Sequence, residues 1–441
     1  MLAAPSSGSG KTTVATGLVR ALKNRGYDLT CFKTGPDYID TAFLAAAAGK
    51  DAGNLDLHLQ GEKGMHQAFS LADGDLCVVE GAMGYFDGIS NTWQGSSYHI
   101  ARLLGISTVL VYSPKGQMFS AVPQIKGMVD FSDNLIKAVI LNNTSEKAYN
   151  LLKGQIEKYA GVKVLGYLPS KENSVLKSRH LGLVQSMELE DLDSQLEHYA
   201  DALTEHVDLE ALVDLMTDIS GEPFPQPGRR NLTVAVARDK AFSFYYRENL
   251  KLLEMSCHVL YFSPLEDQKL PQCDLLYLGG GYPEVFRSEL AANRQMLSDI
   301  KQYADSGGCI YAECGGMMYL FEKVEDESMA GIFNGESRLT DRLQRFGYID
   351  ITLADNCMLG AAGEKLTAHE FHRSTCTPAA KEIFQIAKTM GSGSWACGRI
   401  YKNVLAGYPH INFLGNPRAF EALLDYVEQN GRQAYAGRAW Y

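Results

Sequence analysis

The sequence contains no apolar run near the ~20 residues that a membrane-spanning helix needs. Its start, MLAAPSSGSGKTT, lacks the basic residues and the long apolar stretch of a signal peptide, so we expect a cytoplasmic protein. Nine cysteines, an odd count without paired spacing, favour reduced thiols over a disulfide framework. Positive charge is also scarce, since acidic residues outnumber basic ones and the net charge is −11. This balance argues against general nucleic-acid binding. An anionic substrate would need a local basic pocket.

The length and composition are those of a globular protein with more than one domain. Hydrophobic residues make up 46% and charged residues 21% of the 441 residues. At roughly 100–200 residues per domain, this length predicts two or three domains. A stretch rich in proline and glycine, residues 218–230, is typical of a linker. We therefore expect one domain at residues 1–217 and another at residues 231–441.

Short apolar runs alternate with amphipathic stretches in both halves of the chain. The first half has the candidate strands LTCFK (29–33), LCVVEG (76–81), STVLVY (107–112), KAVILN (137–142) and KVLGYL (163–168). The second half restarts the rhythm with LTVAVARD, CDLLYLGGG, GCIYAEC and VLAGYPH. This alternation predicts βα units, so we expect an α/β fold with two doubly wound domains, the first on a mostly parallel sheet.

The stretch APSSGSGKTT, residues 4–13, has the pattern of a phosphate-binding loop. A strand should end near Ala4 and a helix should begin at Lys11. Lys11 would reach the β- and γ-phosphates of a nucleotide, and the Thr12 hydroxyl would bind Mg²⁺. Pro5 replaces the first glycine of the usual motif, and the alternative is a Gly/Ser turn with an exposed lysine. The residues expected to bind the nucleotide are Gly8, Ser9, Gly10, Lys11, Thr12 and Thr13.

Charged residues follow two further candidate strands. Glu80 ends a buried strand where a carboxylate can contact Mg²⁺, although it could instead cap the following turn. Lys33 ends another strand and could stabilise charge on a transferring phosphoryl group. Asp37, Asp40 and Asp87 lie on the loops that follow. Ligands bind beyond the carboxyl ends of parallel strands, so these side chains should converge. Asp37 and Asp40 could equally form a turn beside a proline.

The stretch YAECGGMMYL, residues 311–320, places Cys314 at the exit of a short buried strand. We expect a helix N-terminus there to lower the pKa of the thiol and to make it a nucleophile. His410 follows a later strand and would be its base. The Gly315 N–H would form an oxyanion hole with a second N–H at Gly280 or Gly281. An inert buried cysteine is the alternative for any one thiol.

These motifs together resemble the cobyrinic acid a,c-diamide synthase family of glutamine-dependent amidoligases. The likeness rests on APSSGSGKTT, KTGPDYID, GNLD, VVEGAMGYFDG, SRHLGL, AFSFYYRENL, LGGGYPE, AECGGMMYL, HEFHRS and NVLAGYPHINF, which occur in order over almost the whole chain. The resemblance implies a P-loop domain similar to dethiobiotin synthetase, followed by a class I glutaminase domain with a flavodoxin-like fold.

The resemblance also implies a reaction in cobalamin biosynthesis. Cys314 would release ammonia from L-glutamine, with His410 managing protons. ATP with Mg²⁺ would phosphorylate the a and c acetates of cobyrinic acid or a related tetrapyrrole, and ammonia would displace the phosphate. Lys11, Thr12 and Glu80 would then serve the nucleotide and Mg²⁺. The residues implied to surround the acyl phosphate are Lys33, Asp37, Asp40 and Asp87. A homodimer is one further arrangement to consider.

Five further residues gain candidate roles from the likeness, each with a bland alternative. Asn142 could read adenine or simply form a turn. Arg179 and His180 could meet substrate carboxylates or form a solvated basic turn. His369 and His372 could line the thiol site, and the alternative is that both rings only pack in the protein interior.

The sequence also departs from the family pattern. Many class I glutaminases have a glutamate two residues after the histidine, whereas this chain has Asn412. Another group must therefore orient His410. Ser113 and Pro114 stand where the family often has an aspartate.

Three alternatives stay open at this point. The ring could be hydrogenobyrinic acid or nickel-sirohydrochlorin, because no motif reads the metal. The side chains amidated could be those used by the related cobyric acid synthases. A different class would be a partition-type P-loop ATPase fused to a non-catalytic glutaminase-like module, which would hydrolyse no glutamine.

Overall fold

The structure is a computed structural model that describes residues 1–170, 191–219, 222–379 and 381–431. The chain divides into two compact units. The first unit contains Met1–Leu57 and Gly61–Phe224, and the second contains His58–Gln60 and Pro225–Tyr441. Within the described ranges, no helix combines the length and the apolar character needed to cross a membrane. The candidate residues Arg179 and His180 lie outside the described residues.

The first unit is built on a seven-stranded sheet in the order β3-β2-β4-β1-β5-β6-β7, with every neighbouring pair parallel. Its strands are β1 (Leu2–Ala3), β2 (Leu29–Thr34), β3 (Gly53–Leu55), β4 (Leu76–Glu80), β5 (Thr108–Tyr112), β6 (Ile136–Leu141) and β7 (Lys163–Tyr167). The five strands predicted for this half are confirmed to within one residue at each end.

Helices connect these strands and cover the sheet. They are α1 (Lys11–Asn24), α2 (Tyr38–Ala48), α3 (Leu57–Phe69), α4 (Ser97–Leu104), α5 (Ala121–Phe131), α6 (Glu146–Ala160), α7 (Leu192–His206) and α8 (Leu209–Val213), with a 3₁₀ turn at Ile89–Asn91. Every residue of β2 and β5 is buried, as expected for parallel strands with helices on both faces. The predicted helix start at Lys11 is confirmed.

The second unit contains a six-stranded sheet in the order β10-β8-β11-β13-β23-β22. Its strands are β8 (Thr233–Ala237), β10 (His258–Phe262), β11 (Leu275–Leu278), β13 (Cys309–Glu313), β22 (Arg399–Tyr401) and β23 (Val404–Gly407). The short strands β9 (Phe242–Phe244) and β12 (Gly280–Gly281) form a separate two-stranded antiparallel sheet. In the six-stranded sheet, all neighbours are parallel except β22 and β23, which are antiparallel. The α/β interpretation of both halves is confirmed.

The helices of the second unit follow the strands in α/β fashion. They are α9 (Arg247–Ser256), α10 (Arg287–Ala292), α11 (Arg294–Asp305), α12 (Gly315–Tyr319) and α13 (Pro417–Asn430). Helix α11 buries Met296, Leu297, Ile300 and Tyr303, whose spacing of three to four residues places them on one face. The short helix α12 begins directly after Cys314, which positions that thiol at a strand-to-helix turn.

Two additional sheets in the second unit were not predicted from the sequence. One has the order β15-β14-β16-β19 and the other β21-β20-β17-β18-β24. Their strands are β14 (Phe321–Val324), β15 (Glu327–Ser328), β16 (Phe333–Leu339), β17 (Arg345–Leu353), β18 (Lys365–His372), β19 (Ser374–Cys376), β20 (Phe384–Lys388), β21 (Ser394–Cys397) and β24 (His410–Ile411). The second of these sheets pairs His369 with His410, so it fixes the backbone of the candidate base.

Candidate active sites

The first candidate site lies at the carboxyl ends of β2 and β4. Lys33 and Glu80 are direct neighbours in the register of these two parallel strands. The Lys33 Nζ lies 2.8 Å from Glu80 Oε1 and 2.8 Å from Asp40 Oδ2. Because all three side chains are buried, the ion pairs are shielded from water. The predicted convergence of Lys33, Asp40 and Glu80 is therefore seen in the structure.

The Thr12 hydroxyl joins this cluster from the start of α1. Its oxygen donates to Glu80 Oε1 at 2.6 Å and lies 3.4 Å from Asp40 Oδ2. The other carboxylate oxygen of Glu80, Oε2, is buried and has no hydrogen-bond partner among the described residues. An orphaned carboxylate oxygen beside a threonine hydroxyl suits a hard divalent cation. Thr12 and Glu80 therefore fit the predicted Mg²⁺ site.

The charges of this cluster are set by burial and by mutual attraction. Burial alone would lower the pKa of Lys33, but Glu80, Asp40 and Asp37 outweigh it and raise that pKa. Burial raises the pKa of Glu80, an effect that Lys33 opposes. Burial, helped by the charge of Lys33, lowers the pKa of Lys11 to about 8. A bound polyphosphate would favour the charged form of Lys11 and raise its pKa again.

The phosphate loop adopts a conformation that needs glycine at two positions. Gly8 has φ 76° and Gly10 has φ 84°, both in the left-handed region that disfavours other residues. Gly10 precedes α1 without a side-chain cap, so the helix N-terminus presents its backbone N–H groups. Ser9 Oγ donates to the Ser6 carbonyl at 2.9 Å, and Thr13 is the third residue of α1.

Lys11 and Asn142 both contact the backbone of this region. The Lys11 ammonium donates to the Met83 carbonyl and lies 3.4 Å from the Ser6 carbonyl. The Asn142 Nδ2 donates to the Ser9 carbonyl at 2.9 Å, and a Cβ on Gly10 would lie only 2.2 Å from it. Asn142 therefore supports the loop, and its contact with adenine stays a prediction.

Asp37 and Asp87 make local backbone contacts. The Asp37 carboxylate caps α2 by accepting from the Ile39 and Asp40 N–H groups, each at 2.9 Å. The Asp87 Oδ2 accepts from the Gly84 N–H at 3.0 Å. These contacts agree with the turn-forming interpretation of Asp37. Both carboxylates still act on lysines of the site, because the charge of Asp37 helps to raise the pKa of Lys33 and the charge of Asp87 opposes the lowering of the pKa of Lys11.

The second candidate site is the turn between β13 and α12. Cys314 has φ 48° and ψ −106°, an unfavourable conformation for a residue with a side chain. The Cys314 N–H donates to the Gly407 carbonyl at 2.7 Å, which ties the turn to the end of the neighbouring strand β23. His410 follows β23 by three residues, so the thiol and the candidate base belong to the ends of adjacent strands.

The predicted lowering of the pKa of Cys314 is wrong. The side chain is only 7% exposed, and burial raises its pKa. The negative charges of Glu284, Glu370 and Glu313 raise it further, whereas the contact with the Gly315 N–H lowers it too weakly to compensate. The helix that follows has five residues, so it offers little opposing field. The thiol therefore needs a base to remove its proton.

The three glycines predicted for the oxyanion hole lie together. A Cβ on Gly315 would lie 3.0 Å from the Gly281 nitrogen, which shows how closely the two backbones approach. A Cβ on Gly280 would lie 2.4 Å from His410 Cε1, so any larger residue there would displace the histidine. Gly281 has φ 157°, a value that side chains rarely adopt. The backbone N–H groups of Gly281 and Gly315 are thus the best-placed candidate donors.

Asn412 does not replace the missing acidic residue. Its Nδ2 donates to Glu248 Oε1 at 2.8 Å and its Oδ1 accepts from the Leu414 N–H at 3.1 Å. A carboxylate beside His410 belongs instead to Glu313, whose Oε2 lies 3.7 Å from His410 Nδ1. The residue before the nucleophile, rather than one after the histidine, faces the base.

His369 and His372 are buried beside this region. The ring of His372 stacks on Tyr408 with 3.6 Å between ring centroids, and its Nδ1 lies 2.8 Å from the Ser374 carbonyl. Burial lowers the pKa of His372 to about 4 and that of His369 to about 3. These contacts agree with the packing interpretation. Neutral imidazoles at physiological pH are poor candidates for proton donors.

Three buried carboxylates near the thiol were missed by the sequence reasoning. Glu284, Glu313 and Glu370 all occur in motifs that carry the family resemblance, but no role was assigned to them. Burial raises the pKa of both Glu284 and Glu370 to about 7. What these three carboxylates share is that each raises the pKa of Cys314. That effect depends on tertiary structure and leaves no local pattern in the sequence.

The raised pKa of Glu284 predicts a pH-dependent cost to stability. An acid with a folded pKa near 7 binds its proton more tightly when folded, so stability falls as pH rises from about 4.5 through about 7. Glu284→Gln removes this ionisation. Its melting temperature relative to wild type should therefore rise between pH 5 and pH 8, by an amount equivalent to up to about 3 kcal/mol.

The matched control for this measurement is Glu289→Gln, because Glu289 is exposed in the following helix. Thermal unfolding of both variants and wild type at pH 5 and pH 8 makes the comparison. A Glu284→Gln offset that is the same at both pH values would contradict the buried, proton-binding carboxylate.

The fold and the two sites define an enzyme class: a glutamine amidotransferase with a nucleotide-binding unit. Family models agree with both halves. A CobQ/CobB/MinD/ParA nucleotide binding domain matches residues 1–183, and a CobB/CobQ-like glutamine amidotransferase domain matches residues 233–418.

Curated relatives narrow the class to one family. The chain is 45% identical over 434 residues to the cobyrinate a,c-diamide synthase of Clostridium tetani, covering 96% of this chain and 99% of that protein. It is 46% identical over 424 residues to the enzyme of the same name from Clostridium acetobutylicum, covering 94% and 97%. The chain belongs to the cobyrinate a,c-diamide synthase family, whose members are carbon–nitrogen ligases that use glutamine. This membership argues against the fused partition-type ATPase with a non-catalytic module.

Proposed function

We propose that the chain amidates the a and c acetate side chains of cobyrinic acid, using ATP and glutamine, in cobalamin biosynthesis. The names of the curated relatives support the substrate. The observation that carries the proposal is that both candidate sites occur in one chain. One has Cys314 at a strained turn beside the glycine backbone, and the other has Lys33 between two buried carboxylates.

The thiol site would produce ammonia from glutamine. His410 takes the thiol proton of Cys314, and the sulfur attacks the side-chain amide carbon to form a C–S bond. The N–H groups of Gly281 and Gly315 would stabilise the oxyanion that forms. When the C–N bond breaks, His410 returns its proton to the departing ammonia. Water then hydrolyses the thioester and releases glutamate with the free thiol.

The cluster at the phosphate loop would bind ATP and position its γ-phosphate. The backbone between Gly8 and Lys11 would surround the phosphate oxygens, while Lys11 and Lys33 add positive charge. Thr12 and Glu80 would hold Mg²⁺, which when bound neutralises charge on the phosphates. At such sites Mg²⁺ takes its remaining ligands from phosphates and water.

Phosphorylation makes the substrate carboxylate reactive towards ammonia. A carboxylate oxygen attacks the γ-phosphorus of ATP, an O–P bond forms, and ADP leaves. Ammonia then attacks the acyl carbon, the C–O bond to phosphate breaks, and the nitrogen loses one proton as the amide forms. Without activation the leaving group would be oxide, so phosphate is needed. The positive charges of Lys11 and Lys33 would stabilise the charge that develops on the phosphoryl group.

The tetrapyrrole substrate could be a ring other than cobyrinic acid. Hydrogenobyrinic acid and nickel-sirohydrochlorin carry the same kind of acetate side chains, and the described residues reveal no group that reads the central metal. The reaction at each carboxylate would be unchanged with either ring.

The experiment that tests the substrate offers cobyrinic acid, hydrogenobyrinic acid and nickel-sirohydrochlorin separately, each with ATP, Mg²⁺ and glutamine. Mass spectrometry of the products should show two OH groups replaced by NH₂ on cobyrinic acid. Omission of ATP is the control and should leave every ring unchanged. Diamide formation on another ring alone would correct the substrate, and failure to amidate any of them would contradict the proposal.

A further inference from the structure

Glu313 is a buried carboxylate at the end of β13, immediately before Cys314, with 2% of its surface exposed. Its Oε1 accepts from the Tyr311 hydroxyl at 2.7 Å and from the Ile411 N–H at 3.1 Å. Its Oε2 accepts from the Tyr277 hydroxyl at 3.0 Å. Three neutral donors therefore hold both oxygens in fixed positions. A burial this deep is costly for a carboxylate unless it is compensated.

The Glu313 carboxylate lies close to the ring of the candidate base, His410, and also contacts the backbone beside it. Its Oε2 lies 3.7 Å from His410 Nδ1. Its Oε1 accepts from the N–H of Ile411, the residue directly after the histidine, so it also fixes the backbone that carries the ring. On the other side, the pairing of His410 with His369 fixes that backbone. The imidazole is thus held between an anchored carboxylate and a sheet.

We infer that Glu313 is the positioning residue of the glutaminase site and takes the role that a glutamate two residues after the histidine would have. This inference rests on the proposed glutamine hydrolysis by Cys314 and His410. Asn412 cannot fill that role, because its amide bonds Glu248 and Leu414 instead. Glu313 acts through His410 and touches no reacting atom.

The position of the carboxylate determines which ring nitrogen can act as the base. A proton on Nδ1 would face the Glu313 oxygen, which leaves Nε2 to accept the thiol proton. The imidazolium formed by that transfer would lie beside the Glu313 carboxylate. The separation of 3.7 Å is longer than a hydrogen bond, and such contacts often tighten when the substrate binds. The carboxylate therefore assists the proton transfer that the raised pKa of Cys314 makes necessary.

A purely structural role is the competing explanation, because Glu313 also connects Tyr277 and Tyr311 across neighbouring strands. The two roles predict different kinetics. A structural residue would affect stability or all activities together. A positioning residue would affect the proton-transfer step, and only when the histidine is present.

The test substitutes Glu313→Gln and measures glutamine hydrolysis across pH. Since the amide cannot balance an imidazolium, kcat should fall by about 10²–10⁴-fold with KM nearly unchanged. The pH profile of kcat/KM should lose or shift the limb assigned to the base. Amidation with high ammonia should stay within about twofold of wild type. Tyr277→Phe is the comparison variant: it removes one donor to the same oxygen but keeps the charge, so its kcat should fall far less than that of Glu313→Gln.

Two further variants distinguish an effect through His410 from a loss of folding. In a His410→Asn background, Glu313→Gln should cause no further loss, because its effect passes through the histidine. If Glu313→Gln does not fold, Glu313→Asp retains the charge but withdraws it, so its kcat should fall while the pH profile keeps its shape. Wild-type kcat and pH profile in a folded Glu313 variant, or an equal loss without His410, would overturn the inference alone. A wild-type chain that hydrolyses no glutamine would overturn the proposed function with it.

Discussion

Cys314→Ala should abolish amidation driven by glutamine while leaving amidation driven by high ammonia intact. The thiol is the nucleophile in the proposed reaction, and it lies at a strand-to-helix turn beside the strand that leads to His410. We expect glutamine hydrolysis to fall by at least about 10⁴-fold. Because the phosphate-binding cluster belongs to the other unit, nucleotide-dependent chemistry should survive. The measurement compares product formed with each nitrogen source.

The matched control is Cys357→Ala. Cys357 is half-buried in the same unit and lies outside both candidate sites. It should keep glutamine-driven activity close to wild type. Retention of glutamine-driven activity by Cys314→Ala would show that the nucleophile has been assigned wrongly. Loss of ammonia-driven activity as well would show that this substitution acts on more than the thiol chemistry.

Lys11→Ala should stop amidation with either nitrogen source. The Lys11 ammonium is expected to turn from the Met83 carbonyl to the nucleotide phosphates, where its charge would be most stabilising. We expect a loss of about 10²–10³-fold in nucleotide-dependent product formation. Some glutamine hydrolysis should remain, since Cys314 and His410 are unaffected. Nucleotide turnover and glutamate release, measured in parallel, make the comparison.

Lys23→Ala is the control for this substitution, because Lys23 is an exposed lysine on the same helix. It removes an equal charge from α1 and should leave nucleotide turnover near the wild-type value. Unimpaired nucleotide turnover in Lys11→Ala would contradict the phosphate-site assignment. So would an equal loss in Lys23→Ala, since the effect would then be one of general charge.

The parts of the sites that sequence predicted are those encoded by local patterns. Glycine at positions 8 and 10 signals a loop with positive φ, and the structure has φ 76° and 84° there. Cys314 between a buried run and two glycines signals a sharp strand-to-helix turn, which the structure also shows. Lys33 and Glu80 each end a strand, and the rule for parallel sheets brings strand ends together.

The parts that sequence did not predict depend on contacts between distant residues. Glu313 faces His410, 97 residues later, and only the pairing of β13 with β23 makes them neighbours. The pKa of Cys314 was wrongly expected to be low, since burial beside three carboxylates leaves no local trace. The added sheets depend on pairing between separated segments, since β17 pairs with both β18 and β20, and β24 pairs with β18.

The most direct test of the account follows the nitrogen atom. Cobyrinic acid, ATP and Mg²⁺ are supplied with amide-¹⁵N glutamine while unlabelled ammonium is present at low concentration. The product should be a diamide in which both new amides carry ¹⁵N, with ATP consumed for each amide formed. Unlabelled product, or no ATP consumption in a folded preparation, would contradict the claim that Cys314 releases ammonia from glutamine and that this ammonia reacts with a nucleotide-activated carboxylate.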